Sequence, residues 1–309
     1  MATVDQGDLD LSPLHEAVDG FESWPVTPPD DVITRIRDAE VVIVNKTRLD
    51  AAVFQAAQPG LVCLAATGTD NVDLGVAREL GIGVANIRDY CTDSVAQHVF
   101  ALILALTVRL VDYRGSVRAG AWTQSETFAV LDFPVRELAG KTLAIVGYGT
   151  LGHAVAERAQ AFGMRVIVAE RKGQTPRAGR VPFEQALAEA DVLSLHAPLT
   201  PDTRALIDAD ALGLMKPDAL LINTARGGLV DETALAGALA RHEIGGAGLD
   251  VLGSEPPPAD NPLLDPMLDN CLVTPHIAWA AREARQRAIT KIAENITAWR
   301  ASERRNRVD

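Results

Sequence analysis

The chain alternates between short runs of hydrophobic, β-branched residues and stretches in which hydrophobic residues recur at helical spacing. Apolar runs without polar alternation are typical of strands that are buried on both faces of a parallel sheet. Three such runs come first, at 41–45, 61–66 and 82–86, and six more follow, at 142–146, 165–169, 191–195, 219–223, 245–250 and 271–275. Helical spacing fills most of the intervals, so the pattern predicts repeated β-α-β units and an α/β fold.

Two features divide this pattern into two predicted domains. A helix predicted at about 94–109 is followed by residues 118–141, which show no clear period. A last helix, predicted at about 281–301, lies beyond the six strands that complete a dinucleotide-binding fold. We expect this helix to return to the first domain, which would then be discontinuous. The predicted boundaries are 1–96 plus 281–309 for one domain and 97–280 for the other.

Composition and charge narrow the classes of function. The 309 residues include 29 basic and 41 acidic side chains, and the net charge of −12 argues against binding to nucleic acid or to an anionic membrane. The basic run 304–307 is expected to be a solvated tail. Cys63, Cys91 and Cys271 lack metal-ligand spacing, so reduced thiols in the cytosol and no metal site are expected. No signal-peptide pattern opens the chain, and its longest apolar stretch, 99–111, is too short to span a bilayer.

A glycine-rich turn follows the strand predicted at 142–146. Its glycines have the spacing G-x-G-x-x-G between a strand and a helix, which suits a tight turn, the close approach of a pyrophosphate and close packing of the helix on the strand. The N-terminus of the helix attracts phosphate. The sequence therefore predicts a dinucleotide site, whose contacts in this turn are Gly147, Gly149, Thr150, Leu151 and Gly152.

Glu170 ends the next predicted strand, 18 residues after Gly152. A carboxylate at this place can accept hydrogen bonds from the hydroxyls of the adenosine ribose and would repel a 2′-phosphate, which favours NAD as the cofactor. Arg171 and Lys172 keep NADP as an alternative, because a cation beside Glu170 could hold a 2′-phosphate.

Three further segments, 222–235, 248–264 and 273–279, each follow a predicted strand of the second domain. Since the carboxyl ends of parallel strands meet at one edge, their polar residues Arg226, Asp250, Glu255 and His276 are predicted to converge. The combination suits the reduction of a 2-keto acid. Arg226 can hold the substrate carboxylate and polarise the ketone, and His276 can protonate the developing alkoxide. Glu255 can keep the imidazole oriented and protonated.

Five segments carry a resemblance that covers nearly the whole chain: GYGTLG, DVLSLHAPLTPDTRALI, MKPDALLINTARGGLVD, LDVLGSEPPP and TPHIAW. The chain is similar to the D-2-hydroxyacid dehydrogenases, and most similar to their glycerate dehydrogenase (hydroxypyruvate reductase) branch. The resemblance implies two doubly wound parallel-sheet domains, a Rossmann domain for the dinucleotide and a flavodoxin-like substrate domain. It implies that Arg226, Glu255 and His276 are catalytic and that Asp250 contacts the nicotinamide carboxamide. It also implies a homodimer with a dimerisation segment at about 110–140.

The resemblance adds predicted contacts outside the catalytic set. Backbone N–H groups of Thr67, Gly68 and Thr69 are expected to hold the substrate carboxylate. Lys46, just after the preceding strand, is either a substrate ligand or a solvated amine. Trp279 either narrows the pocket for a small substrate or serves as a hydrophobic anchor. Further cofactor contacts are expected from His196, Pro198, Thr224 and Ala225.

NAD-linked reduction of hydroxypyruvate and glyoxylate, with the reverse oxidation of D-2-hydroxy acids, is therefore the leading hypothesis for the function. A larger D-2-hydroxy acid or phosphite is an alternative substrate for the same site. A dinucleotide-sensing protein without turnover is an alternative from another class, because such proteins on this fold retain much of the catalytic set. The acidic balance of the chain disfavours that third hypothesis.

Overall fold

A computed structural model describes residues 3–309, which form two compact units. One unit extends to Cys91 and resumes at Trp279–Asp309, and the other is the continuous stretch Thr92–Ala278. The sequence predicted domain boundaries after residues 96 and 280. The first change comes earlier because residues 92–107 form one uninterrupted helix, which packs on strands of the second unit.

Each of the nine predicted strands is present, with ends that differ from the predicted ones by a few residues. The strands of the first unit are β1 (Val41–Val44), β2 (Leu61–Leu64) and β3 (Gly83–Ala85). Those of the second unit are β4 (Thr142–Val146), β5 (Arg165–Ala169), β6 (Val192–Leu195), β7 (Leu220–Asn223), β8 (Gly246–Leu249) and β9 (Cys271–Val273). All neighbouring strands pair in parallel.

Eleven α-helices are present in the described part of the chain. In chain order they are α1 (Ser12–Ala17), α2 (Val32–Ile36), α3 (Ala51–Ala56), α4 (Leu74–Glu79), α5 (Thr92–Thr107), α6 (Leu110–Arg118), α7 (Thr150–Ala161), α8 (Phe183–Glu189), α9 (Ala209–Leu214), α10 (Glu232–Ala240) and α11 (Arg282–Arg300). Within residues 3–309, no single helix is long and apolar enough to cross a membrane, and only α5 and α6, taken together across their bend, have the required length and composition.

The second unit has the strand order of a doubly wound dinucleotide-binding sheet. Its strands lie in the order β5-β4-β6-β7-β8-β9, so the direction of winding reverses between β4 and β6. Helices α8, α9 and α10 pack on one face, and α5 and α7 pack on the other. Because both faces are covered, the strands are almost continuously apolar. Ligands of such sheets bind outside the carboxyl ends of the strands at the reversal.

The first unit is a smaller parallel-sheet layer structure. Its three strands follow chain order, where a complete flavodoxin-like sheet has five. Helices α1 and α11 cover one face, and α2, α3 and α4 cover the other. The last helix of the chain therefore packs against the sheet formed by its first strands, as the leftover helix in the sequence pattern predicted.

The C-terminal segment is not the solvated tail that the basic run suggested. Arg304 and Arg305 are exposed, but Arg307 forms an antiparallel bridge with Ala85 of β3. The N–H of Val308 donates to the carbonyl of Val84 at 2.9 Å. The prediction was wrong for this stretch because β3 would otherwise leave an open sheet edge, which the tail covers.

An ion pair joins the beginning of the chain to α11. Both carboxylate oxygens of Asp8 accept hydrogen bonds from Arg285, at 2.8 and 2.7 Å. Arg285 is 9% exposed, and its guanidinium also donates to the carbonyls of Val4 and Ala280. These bonds leave the buried cation well satisfied, so the pair fixes the N-terminal segment on the last helix.

Asp8→Asn should lower the melting temperature at neutral pH by several degrees, because Arg285 loses its anionic partner while it stays buried. The hydrogen bonds from Arg285 lower the pKa of Asp8 from 3.8 to about 2. The stabilisation is therefore present above about pH 4 and is lost as the pH falls towards 2. Thermal unfolding between pH 7 and pH 2 measures the effect.

Asp19→Asn is the matched control for this experiment. Asp19 also pairs with an arginine of α11, Arg300, at 3.2 Å, but its side chain is fully exposed. Exposed pairs contribute little, so its melting temperature should stay close to that of the parent. Equal losses in the two variants would contradict the role given to Asp8.

Candidate active site

The glycine-rich turn lies between β4 and α7, as predicted. Gly147 has a φ of +93°, and a Cβ atom there would lie 2.5 Å from the backbone of His196. A Cβ atom on Gly152 would lie 2.3 Å from the carbonyl oxygen of Gly147. Gly149 caps α7 without a side chain and faces open space. The turn is thus closed towards the sheet and open at the helix N-terminus, where a pyrophosphate can reach backbone N–H groups.

Two buried polar atoms lie at the ends of the strands beside this turn. Nδ1 of His196, after β6, and Oγ1 of Thr224, after β7, have no hydrogen-bond partner within residues 3–309. The Nε2 atom of His196 lies 2.9 Å from the hydroxyl of Ser194. Burial lowers the pKa of His196 to about 4, so the ring is neutral at pH 7. Buried polar atoms of this kind normally have a partner, and a dinucleotide with many donors and acceptors fits them.

The other two residues predicted at these strand ends bond to their own segments. The carbonyl of Pro198 accepts a hydrogen bond from Thr203 at 2.7 Å. The N–H of Ala225 donates to the side chain of Asn223, and its carbonyl accepts from Arg226. Both segments are thereby fixed at the ends of β6 and β7, where the cofactor contacts are predicted.

Glu170 lies directly after β5 and is 2% exposed. Its carboxylate accepts two hydrogen bonds from the Arg177 guanidinium, at 2.7 and 2.6 Å. It also accepts from the backbone N–H groups of Arg171 and Arg177, at 2.9 and 3.2 Å. These hydrogen bonds hold the pKa of Glu170 far below its ordinary value, and those from the Arg177 side chain contribute most. The residue predicted to bind ribose hydroxyls is thus already engaged with the chain itself.

Glu255 and His276 form the pair that the sequence predicted. Nδ1 of His276 lies 2.6 Å from Oε2 of Glu255, and the other oxygen of Glu255 accepts the N–H of Leu252 at 3.1 Å. The two side chains are 34% and 26% exposed. The contact places a hydrogen on Nδ1, so Nε2 is the ring nitrogen that can exchange a proton with a substrate.

His276 has a left-handed backbone, with a φ of +55°. For a non-glycine residue this conformation costs about 1–3 kcal/mol, and it persists only where the surroundings fix it. Asp250, which is 1% exposed, supplies that support. Its carboxylate accepts the N–H groups of Ile277 and Ala278 at 2.9 and 2.8 Å and the hydroxyl of Thr274 at 2.6 Å. The turn that carries His276 is therefore bonded on both sides of the histidine.

A second histidine completes this network. Nε2 of His98, on α5, lies 2.9 Å from the hydroxyl of Thr274 and 3.4 Å from Oδ1 of Asp250. Because the Thr274 hydroxyl donates to Asp250, it accepts from His98, which places a hydrogen on Nε2 of that ring. His98 supports the loop and was not singled out by the sequence.

The loop that carries Glu255 is fixed from the segment after β7. Glu232, in the first turn of α10, accepts the N–H of Gly253 at 2.5 Å and the side-chain amide of Asn261 at 2.8 Å. Gly227 is packed so closely that a Cβ atom would lie 1.9 Å from the carbonyl carbon of Leu252. These contacts set the distance of the Glu255 loop from the end of β7.

Arg226 stands at the carboxyl end of β7, before a short 3-10 turn at Gly227–Leu229. Its side chain donates to the carbonyl of Ala225 at 2.8 Å, and its own carbonyl accepts from Asn223 at 2.9 Å. Strands β7, β8 and β9 are neighbours, so Arg226, Asp250 and the His276 turn follow the ends of three adjacent parallel strands. The predicted convergence at one sheet edge is thus built into the topology.

Apart from Arg226, the residues predicted to bind substrate lie in the first unit. Lys46 is exposed just after β1. Thr67, after β2, donates its hydroxyl to the carbonyl of Ile87 at 2.8 Å, and its own carbonyl accepts from Asn86 at 2.7 Å. Trp279 packs on the core under α11, with its ring 6.5 Å from that of Tyr90. This packing agrees with an anchor role for Trp279, and the substrate contacts stay predictions.

Residues 100–278 match the family model of the D-isomer specific 2-hydroxyacid dehydrogenase, NAD binding domain. The chain belongs to this family. It is 44% identical to the glycerate dehydrogenase of Methylorubrum extorquens, over 96% of this chain and 92% of the relative. It is 36% identical to the hydroxypyruvate reductase of Blautia hydrogenotrophica, over 95% and 92% of the two chains.

Solved structures with a similar fold agree with the family assignment. The TT0316 protein of Thermus thermophilus superposes with a TM-score of 0.87 at 37% identity, over 96% of both chains. An acyclic imino acid reductase in complex with NADPH and D-Arg gives 0.86 at 31%, over 97% and 95%. The D-lactate dehydrogenase of Aquifex aeolicus, complexed with NAD and lactic acid, gives 0.81 at 29%, over 97% and 95%.

Several supporting residues of this dehydrogenase were missed by the sequence analysis. Glu232 follows the N-cap Asp231 and resembles an ordinary acidic residue in the first turn of a helix. His98 lies in an apolar helix, and Arg177 lies in a loop without periodicity. None has a local signal, because each acts on a segment distant in the sequence or on the far side of a loop.

Gly227→Ala should destabilise the dehydrogenase by about 3 kcal/mol or more, because the added methyl group meets backbone atoms that cannot rotate away. Gly228→Ala is the matched control, since its Cβ atom would meet the end of the Leu199 side chain at 3.0 Å, which can move. Chemical unfolding of the two variants measures the difference. Equal stabilities would contradict the close packing of Gly227 on Leu252.

Proposed function

We propose that this dehydrogenase reduces small 2-keto acids, hydroxypyruvate and glyoxylate, with NADH, and oxidises the corresponding D-2-hydroxy acids in reverse. The observation that carries the proposal is the 2.6 Å contact between His276 and Glu255 at the carboxyl edge of a dinucleotide-binding sheet. The names of the relatives from Methylorubrum extorquens and Blautia hydrogenotrophica support the choice of substrate.

The chain's own residues supply the proton and the charge stabilisation for this reaction. Glu255 accepts the Nδ1 hydrogen of His276, so the ring presents Nε2 as an acid during reduction and as a base during oxidation. Arg226 holds the substrate carboxylate and polarises the ketone, which its planar, always charged fork suits. Bound NADH supplies the hydride.

The remaining predicted contacts have defined tasks in the proposal. The glycine turn with Thr150 and Leu151 holds the pyrophosphate at the start of α7, and the neutral ring of His196 and the hydroxyl of Thr224 bond to the dinucleotide.

The first test follows the absorbance of NADH with hydroxypyruvate, glyoxylate, pyruvate, phenylpyruvate and, in the oxidative direction, phosphite. Rapid turnover is expected with the first two acids.

His276→Ala should lower kcat by about 10²- to 10⁴-fold, the usual contribution of a positioned acid. Glu255→Gln should also lower kcat, because the carboxylate that holds Nδ1 of His276 at 2.6 Å is lost.

His15→Ala is the control, because His15 lies on α1 in the first unit and contacts Phe21. Its activity should equal that of the parent. Turnover only with larger acids or phosphite would reject the proposed substrates and keep the mechanism. Full activity of His276→Ala would reject the mechanism, and cofactor binding without turnover of any substrate would favour the non-catalytic alternative.

The proposal includes a homodimer formed through the segment at about 110–140. This segment carries seven of the fifteen large hydrophobic side chains that are exposed in residues 3–309, and such a concentration is typical of an interaction surface. They are Leu110, Val111, Val117, Trp122, Phe128, Leu131 and Val135. The segment contains α6 and an irregular stretch, and a second copy of the chain is the partner that a symmetric interface requires.

Phe128→Glu combined with Leu131→Glu should convert the dimer into a monomer, because these side chains are 93% and 83% exposed and the new charges would be buried on association. Light scattering coupled to size exclusion measures the mass. Met267→Glu alters a side chain that is 84% exposed outside the segment and should leave the dimer intact. A monomeric parent protein would overturn the dimer proposal.

A further inference from the structure

A basic loop follows Glu170 at the end of β5. It carries four cationic side chains in ten residues, Arg171, Lys172, Arg177 and Arg180. Its base is closed by two backbone hydrogen bonds, from Glu170 to Val181 at 2.8 Å and from Val181 to Val168 at 3.0 Å. Lys172 reaches Asp208 at 3.3 Å. The loop is therefore held at its base and at Lys172 and Arg177, beside the predicted site of the adenosine ribose.

The carboxylate of Glu170 has its accepting capacity filled. Four hydrogen bonds reach its two oxygens, two from the Arg177 guanidinium and two from backbone N–H groups. A carboxylate accepts about four hydrogen bonds. A ribose hydroxyl could be accepted only if it displaced one of these donors, and the charge-assisted bonds to Arg177 are the strong ones. The carboxylate of Glu170 is thus bonded to the loop, and it could bind the ribose only after one of these bonds is broken.

The pairing also changes the charge that an incoming cofactor meets. Arg177 neutralises Glu170, so the repulsion expected between this carboxylate and a 2′-phosphate is removed. The Arg177 side chain is 59% exposed, and its guanidinium has N–H groups beyond those bonded to Glu170. Within residues 3–309 the Arg171 side chain makes no hydrogen bond or ion pair, and it is exposed. Glu170, Arg171 and Arg177 together therefore carry a net positive charge.

We propose that Arg177, held by Glu170, is the residue that determines cofactor choice, and that Arg171 and Arg177 bind a 2′-phosphate so that NADPH binds at least as tightly as NADH. Glu170 acts as a positioning residue for Arg177 in this arrangement. The proposal rests on the cofactor half of the proposed function and not on the identity of the keto acid.

The test measures binding without catalysis, in the full-length protein. Isothermal titration calorimetry with ADP-ribose and 2′-phospho-ADP-ribose compares ligands that differ only in the 2′-phosphate. The parent should bind the phosphorylated ligand at least as tightly. Arg177→Ala should weaken the phosphorylated ligand by about 10- to 100-fold, the loss expected for hydrogen bonds between charged groups. The same change should leave ADP-ribose unchanged or bound more tightly, because it releases Glu170 to accept the ribose hydroxyls.

Arg241→Ala is the matched control. Arg241 forms a similar two-bond pair with Glu243, its side chain is 63% exposed, and it lies after α10. Its affinities for both ligands should equal those of the parent. Arg177→Lys retains the cation without the fork and guards against collapse of the loop in Arg177→Ala. It should retain part of the preference for the phosphate.

Two results would overturn the proposal. One is a parent that binds 2′-phospho-ADP-ribose 10-fold or more weakly than ADP-ribose. The other is an equal loss for both ligands in Arg177→Ala and in Arg177→Lys. Neither result depends on turnover of a keto acid, so a failure of the proposed substrate leaves this test intact. The ratio of NADPH to NADH affinity, measured by fluorescence, should follow the ratio for the two ADP-ribose ligands.

Discussion

The left-handed backbone at His276 is the constraint on which the catalytic end of the second unit depends. An L-residue keeps a φ of +55° only where its neighbours leave it no alternative. Here the buried carboxylate of Asp250 accepts the two N–H groups that follow His276 and the hydroxyl two residues before it. The direction of the imidazole, and with it the bond to Glu255, is thus set by a side chain that itself carries no proton in the proposed reaction. The proposed acid–base role of His276 therefore depends on a strained backbone, and the hydrogen bonds to Asp250 offset that strain.

Much of the fold and part of the site follow from local patterns. Parallel strands that are covered on both faces must be apolar throughout, and this made all nine strands visible in the sequence. The glycine turn was recognisable because its spacing has a steric reason, which the contacts of Gly147 and Gly152 show. The positions of Arg226, Asp250 and His276 followed from one rule of topology, that the carboxyl ends of adjacent parallel strands share an edge.

The features that the sequence did not reveal depend on which partner a side chain chooses. Glu170 was expected to bind a ribose because a carboxylate at that place can do so. The sequence does not show that both of its oxygens already accept hydrogen bonds from Arg177. Glu232 resembles a charge placed for the helix dipole, and only its bonds to Gly253 and Asn261 show that it fixes a distant loop. The C-terminal run looked solvated because its charge is local, whereas the open edge of β3 that it covers lies more than 200 residues earlier.

The attachment of α11 to the first unit has a consequence for the order in which the chain can fold during synthesis. Thr92–Ala278 is one continuous stretch, so all of its contacts are available once Ala278 has left the ribosome. In the first unit, α1 covers only part of one face of the sheet until α11 has been made, and the Asp8–Arg285 pair also forms only with α11. Its strands therefore wait, partly uncovered, while the dinucleotide-binding unit forms, and this interval is the period in which the nascent chain most needs protection from aggregation.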